Sequence, residues 1–273
     1  MPEETRQRLL RLVRRPDADL AEAALLCAAE LEDDHDVEAT LLRLDALADG
    51  LRTRGFTSGD AEHDAAALAD HLAGIHGFRG EVEQYYDPAN GLLGQVLDRR
   101  RGLPITLTIV YVAIGQRLRV PVFPIALPGH VVAGVGGRQR PVVIDPFHGG
   151  RRLGEAEITR RVEQSTGGRL SFRRSMLRPS PAVNMVRRLL NNLTRDFTNA
   201  DRPADALRTV ELKLLLPNRL PDDHRVRGEL LGRIGRFDEA AVAYERYLEA
   251  VSEDAPDREE VRRAAIQSRA RLN

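Results

Sequence analysis

The chain has 273 residues and a formal net charge of zero, with 42% hydrophobic and 30% charged residues. This composition can bury a sizeable core and excludes an intrinsically disordered chain. Overall neutrality gives no long-range attraction to a polyanion, so we expect no nucleic-acid partner.

Two sequence features bear on location. The first fifteen residues contain arginines but no apolar stretch of the kind found in secretory signals, and the longest apolar run, Leu103 to Ile114, is too short to predict a membrane span. A single cysteine excludes an internal disulfide and makes a reducing compartment the default. We therefore expect a cytoplasmic protein with no membrane partner.

Apolar residues recur at helical spacing in the first third of the chain. They predict one helix from Asp19 to about Glu32, a second from Val37 to Leu51, and a third that stops at Gly77. Cys27 lies on the apolar stripe of the first helix. This position favours a buried structural thiol over a nucleophile.

The next part of the chain alternates between turns and apolar segments. A turn-rich stretch at 85–91 precedes a short predicted helix at 92–100. Residues 105–118 could form a buried strand or a buried helix, and their length and the proline near their start favour the helix. Three short β-rich runs follow, at Val122 to Leu127, His130 to Val135 and Arg140 to Asp145.

The link between the last two runs contains two glycines and suggests a register. A two-residue turn centred on 137–138 would place Val135 opposite Arg140 and His130 opposite Asp145. Directly opposed side chains point to the same face, with Cβ atoms about 4.5–5.5 Å apart. The pattern therefore predicts a hydrogen bond between His130 and Asp145, provided that the turn has this form.

The last third of the chain is predicted to be helical and contains an internal repeat. Residues 201–207 and 235–241 align at an offset of 34, which pairs Ala206 with Ala240. A 34-residue period with a small residue at the helix crossing is typical of tetratricopeptide repeats. We therefore predict five or so helices over 182–273.

Several motifs occur in a characteristic order, at Gly77–Gly80, Tyr85–Pro88, Val96–Leu107, Pro128–His130 and Ile144–Phe147. They resemble the SirB-type branch of the transglutaminase-like superfamily, a bacterial-type branch that commonly carries a tetratricopeptide tail. The resemblance implies an α+β fold: a transglutaminase/papain-like core with helices packed on a small antiparallel sheet, then an all-α tetratricopeptide-like tail. It implies a first domain at 1–181, with a helical part at about 1–80 and a core at about 81–181, and a tail at 182–273.

Active members of this superfamily use a Cys-His-Asp triad, in which the thiol lies at a helix N-terminus and the aspartate orients the histidine. The resemblance implies that His130 and Asp145 occupy the histidine and aspartate positions. The cysteine position falls at Pro104 or Ile105, and neither side chain is a nucleophile. The resemblance thus implies a pseudoenzyme with a remnant of the triad.

Two functions from different classes remain open. The favoured one is a non-catalytic scaffold that binds a protein or peptide through the cleft and the helical tail. Its candidate binding residues are Tyr86, Asn90, Pro104, Ile105 and Gly129. The alternative is an acyl-transfer or amide-hydrolysing enzyme, in which the His130–Asp145 pair activates a hydroxyl such as that of Thr106.

The same residues allow other interpretations. His130, Asp145 and His148 could ligate zinc, but no dedicated ligand spacing supports this, so neither a metal nor a cofactor is predicted. A cross-strand His–Asp pair can also serve only to hold a hairpin together. Gly129 favours a retained cleft, because glycine lets a second backbone approach closely.

Overall fold

The computed structural model describes residues 3–15, 17–32 and 35–271. The chain forms two compact units, the first ending at Leu189 and the second beginning at Leu190. The division falls inside a helix that spans Ala182–Asn199, whose first residue is the start of the predicted tail.

Four helices open the described part of the first unit, namely α1 (Glu3–Leu12), α2 (Leu20–Leu31), α3 (Val37–Thr53) and α4 (Ala61–Ala69). Asp19, Asp36 and Asp60 cap α2, α3 and α4, because each carboxylate accepts a hydrogen bond from a backbone N–H of the first turn. The last helix continues as a π-helical segment to Ile75, and the chain then turns at Gly77 with φ +71°. The predicted helices of this part are confirmed.

The core of the first unit contains further short helices and two small sheets. Its elements are β1 (Arg79–Gly80), α5 (Leu93–Arg99), β2 (Arg101–Gly102), α6 (Pro104–Leu118), β3 (Val122–Leu127), β4 (His130–Val135), β5 (Val142–Asp145), β6 (Arg151–Arg152) and α7 (Glu155–Thr166). β1 and β2 pair in parallel, and β3 to β6 form an antiparallel sheet in chain order. The mixed α+β class of this unit agrees with the prediction.

The ambiguous apolar stretch is a helix. Residues Pro104 to Gly115 of α6 are all buried, and α6 packs against β3, β4 and the turn at 146–148. Gly115 lets α6 approach β3 closely, since a Cβ at this position would lie 2.3 Å from Cγ2 of Val122. On the other face of this sheet, buried side chains of β3, β4 and β5 form a hydrophobic cluster with Ile158 and Val162 of α7.

The predicted register between β4 and β5 is wrong. Val135 pairs with Val142, not with Arg140, and β5 begins at Val142. The link is longer than a two-residue turn, and the N–H of Arg140 donates to the carbonyl of Gly137 at 3.2 Å. The register is displaced by an even number of residues, so side chains predicted to share a face still do.

The described part of the second unit is helical. It consists of the end of α8 (Ala182–Asn199) followed by four separate helices, α9 (Pro203–Leu215), α10 (Pro221–Arg233), α11 (Phe237–Ala250) and α12 (Arg258–Ala270). From α9 onward each helix packs against the next. Ala206 and Ala240 are both fully buried. Within the part of the chain that the structure describes, no helix is long and apolar enough to cross a bilayer.

Candidate functional site

The first element of the site is a histidine–aspartate pair. His130 opens β4 with 14% of its side chain exposed, while Asp145 ends β5 and is fully buried. Nε2 of His130 lies 3.0 Å from Oδ1 of Asp145, so the predicted hydrogen bond is present despite the different register. Nδ1 is then the ring nitrogen that can face a further group.

Two further groups reach Asp145: His148, which the sequence already offered beside it as a possible zinc ligand, and Arg161, which no sequence pattern indicated. Nδ1 of His148 lies 2.7 Å from Oδ2, and a guanidinium nitrogen of Arg161, on α7, lies 3.3 Å from the same oxygen. Burial acts to raise the pKa of Asp145, but the hydrogen bonds and charges of His130 and His148 outweigh it and hold the pKa below its ordinary value. Asp145 is therefore an ionised anchor for two imidazoles and one guanidinium.

The position that the resemblance assigns to the nucleophile lies at the start of α6. Pro104 and Ile105 are buried there and offer no reactive atom. Oγ1 of Thr106 accepts from the N–H of Leu103 at 3.0 Å and lies 2.8 Å from the carbonyl of Asn90, to which it donates. The Thr106 hydroxyl thus closes the first turn of the helix.

The single thiol lies elsewhere in the fold. Cys27 is fully buried on α2, as its place on an apolar stripe predicted. Burial raises the pKa of Cys27 to about 12, which suppresses the thiolate at neutral pH.

The candidate binding residues differ in accessibility. Asn90, Pro104 and Ile105 are buried, and Nδ2 of Asn90 donates to the carbonyl of Gln84 at 2.7 Å, so these three shape the loop and helix start from inside. Tyr86 is 54% exposed and can contact a partner directly.

Gly129 is also exposed, and its backbone explains the residue type. It has φ +69°, and a Cβ there would lie 2.7 Å from Cβ of Ser165 on α7. The turn before His130 and the packing of α7 therefore both require glycine at this position.

Aromatic rings border the pair. The ring of Phe147 stands edge-on to that of His130 at 6.2 Å and to that of Tyr85 at 6.1 Å between centroids. A Cβ at Gly80 would lie 2.5 Å from the Phe147 ring, so that ring rests directly on the backbone of β1. The place of Phe147 beside His130 and that of Arg161 beside Asp145 depend on contacts with distant segments, so no local sequence pattern indicates them.

The same cluster has the composition of a partial metal site. Ligand atoms of His130, Asp145 and His148 all lie within 4.8 Å of one another. However, Arg161 brings a positive charge to 3.3 Å from Oδ2 of the shared carboxylate, where a cation would bind. The geometry fits a hydrogen-bonded network better than a metal centre.

Comparisons with known proteins show the family to which the chain is related. A family model described as the transglutaminase-like superfamily matches residues 38–191. A UPF0162 protein of Xylella fastidiosa is 33% identical over 187 residues, which cover 67% of this chain and 66% of that protein. A UPF0162 protein of Pseudomonas aeruginosa is 27% identical over 225 residues, covering 80% of this chain and 79% of that protein.

A shorter similarity reaches a eukaryotic protein. A stretch of 53 residues, 19% of this chain, is 40% identical to part of human F-box only protein 21 and covers 8% of that protein. The chain thus spans 66% of the length of the Xylella relative and a small part of the human one.

Proposed function

The chain belongs to the transglutaminase-like superfamily, and we propose that it is a non-catalytic member that binds a protein or peptide segment at the His130–Asp145 site. The observation that carries this proposal is the start of α6. Pro104 and Ile105 occupy the position that the resemblance assigns to the cysteine, and the next hydroxyl, that of Thr106, is hydrogen-bonded to the backbone.

The accessible part of the site suits recognition. A small part of the His130 side chain, 45% of the His148 side chain and more than half of Tyr86 are exposed. Asp145 holds both imidazoles from the buried side, and Arg161 pairs with Asp145. A peptide can therefore receive imidazole hydrogen bonds and aromatic contact from a preorganised surface.

The alternative is an acyl-transfer or amide-hydrolysing enzyme that uses Thr106 with the His130–Asp145 pair. For this chemistry the hydroxyl must leave the Leu103 N–H and come within about 3 Å of the histidine. Such a movement would open the first turn of α6, which counts against this alternative.

Turnover assays separate the two functions. Purified full-length protein is offered a glutamine-bearing protein with an amine probe, and separately an anilide substrate. We expect no turnover above that of Thr106→Ala and His130→Ala. An activity of the natural protein that disappears in both variants would overturn the proposal.

Binding is tested with peptides selected from a display library on the full chain. We expect the selected peptides to lose at least about tenfold in affinity with Tyr86→Ala and His148→Ala, the magnitude of one interface anchor. Leu42→Ala is the matched control, because Leu42 is 66% exposed on α3. Equal affinity for all variants would show that peptides bind elsewhere.

We further propose the SirB-type branch, a cytoplasmic location and a tetratricopeptide-like tail that contributes to partner binding. The tail is supported by a repeated local arrangement: α9 and α11 begin at Pro203 and Phe237, at the offset of the internal repeat. At both starts the preceding arginine binds an acidic residue three positions later, Arg202 with Asp205 and Arg236 with Glu239.

A further inference from the structure

A second group of titratable side chains lies away from the His130–Asp145 site. It surrounds a cavity of about 290 Å³ formed by α3, the end of α5 and the residue after the π-helical segment. The lining residues are Arg43, Ala46, Leu47, His76, Leu97 and Arg100. Three of these six can carry a positive charge, and none can carry a negative charge.

Arg100 is held in an unusual position. It ends α5 with φ +57°, and its guanidinium lies over the buried ring of Phe78, 4.7 Å from the centroid. Its Nη1 is buried, and no group among the described residues accepts a hydrogen bond from it. The rest of the Arg100 side chain is only half-buried and lines the cavity, so an anion bound there would compensate the charge of a guanidinium that lacks a full set of acceptors.

The charged groups that line the cavity have the same sign, and one carboxylate lies beside them. Arg43 reaches the cavity from α3 and is paired on its outer side with Asp98, which is 61% exposed. Burial lowers the pKa of Arg100, and Arg43 lowers it further, while Asp98 opposes this. Burial likewise lowers the pKa of His76, as do the charges of His71, Arg100 and Arg54.

We propose that this cavity binds a small oxyanion of the phosphate type. The guanidinium groups of Arg43 and Arg100 and the imidazole of His76 come from three separate elements and line the same cavity, where together they can bind a tetrahedral anion. The cavity is small, and Leu47 and Leu97 close its apolar side. Inorganic phosphate and a phosphomonoester share this chemistry, and the proposal does not depend on the function of the His130–Asp145 site.

Arg100→Asn is the appropriate variant. Asparagine tolerates the left-handed conformation better than most residues, so the change removes the guanidinium with little effect on the backbone. Arg119→Asn is the matched control, because Arg119 ends α6 with φ +60° and does not line the cavity. Arg43→Gln is a second test variant on a different element.

Binding is measured on the full chain by calorimetric titration with inorganic phosphate and by thermal unfolding, with ionic strength held constant by chloride. We expect phosphate to raise the Tm of the natural protein and of Arg119→Asn. Arg100→Asn and Arg43→Gln should each weaken phosphate binding at least tenfold. If Arg100→Asn fails to fold, the loss of phosphate binding in Arg43→Gln by itself supports binding in the cavity.

Glycerol phosphate and citrate complete the experiment. Glycerol phosphate that binds at least tenfold more tightly than inorganic phosphate identifies a phosphomonoester ligand, whereas equal affinity identifies free phosphate, and both results support the proposal. Equal Tm shifts in all variants, shifts reproduced by chloride, or binding of citrate alone would overturn it and indicate an adventitious ion only.

Discussion

Nε2 of His130 lies 3.0 Å from Oδ1 of Asp145, and that carboxylate is fully buried. The other carboxylate oxygen receives His148 and Arg161. Three potentially cationic side chains from a strand, a turn and a helix therefore depend on one negative charge. Removal of that charge should disturb all three together.

Asp145→Asn tests this dependence through pH. The folded-state pKa of Asp145 lies below its unfolded value, which is about 3.9. Its stabilisation is thus present above the unfolded pKa and is lost as pH falls through the folded pKa. The free energy of unfolding of the natural protein should fall across this acid range. In the variant, measured by denaturant unfolding, it should fall less steeply with decreasing pH.

At neutral pH we expect Asp145→Asn to be destabilised by about 3 kcal/mol, because the partly buried guanidinium of Arg161 loses its counter-charge and both imidazoles lose a charged hydrogen-bond acceptor. Glu157→Gln is the control, since this glutamate also contacts Arg161 but lies at the surface of α7 and should have a much smaller effect. If the free energy of unfolding falls equally steeply with pH in Asp145→Asn and in the natural protein, the ionised Asp145 does not stabilise the fold.

Thr106→Ala and Thr108→Ala delete the same atoms from two fully buried positions on α6. The Thr106 hydroxyl caps the helix start, whereas that of Thr108 makes one long contact, 3.5 Å to the carbonyl of Val131. Thr106→Ala should therefore cost about 1–2 kcal/mol more in the free energy of unfolding. Equal losses in chemical denaturation would show that the cap contributes nothing.

Cys27 should resist thiol reagents in the native protein. The side chain is inaccessible, and its pKa, raised to about 12, leaves almost no thiolate at neutral pH. An aromatic disulfide reagent should release one equivalent of chromophore only after a denaturant is added. Cys27→Ala, which should release none, is the control, and a full equivalent released within the mixing time in native buffer would refute the buried state.

The two repeat alanines should respond alike to enlargement. Ala206→Leu and Ala240→Leu each add bulk to a fully buried position, and overpacking costs about 1–3 kcal/mol. Ala204→Leu is the control, because Ala204 is exposed on the same helix as Ala206 and should be nearly neutral. If one of the two buried substitutions is tolerated, the two positions are not equivalent; Tm measurements on the full chain decide this.

The sequence by itself determined the elements and their faces. Helical periodicity predicted α2 and α3, and length with a leading proline predicted that α6 is a helix. The β-rich runs predicted β3 and β4 with the bounds that the structure shows. These signals are local, because side-chain direction repeats every 3.6 residues in a helix and every two in a strand. The same alternation kept His130 and Asp145 on one face.

Only the tertiary structure decided the register of β5 and the surroundings of the pair. The turn after Val135 has several possible lengths, and the observed one is selected by the packing of the strands on α6 and α7. Arg161 meets Asp145, and Arg43 meets Arg100, because separate helices dock against the same core. Contacts between distant segments leave no periodic pattern in the chain, so the electrostatics of both sites appear only when the chain is folded.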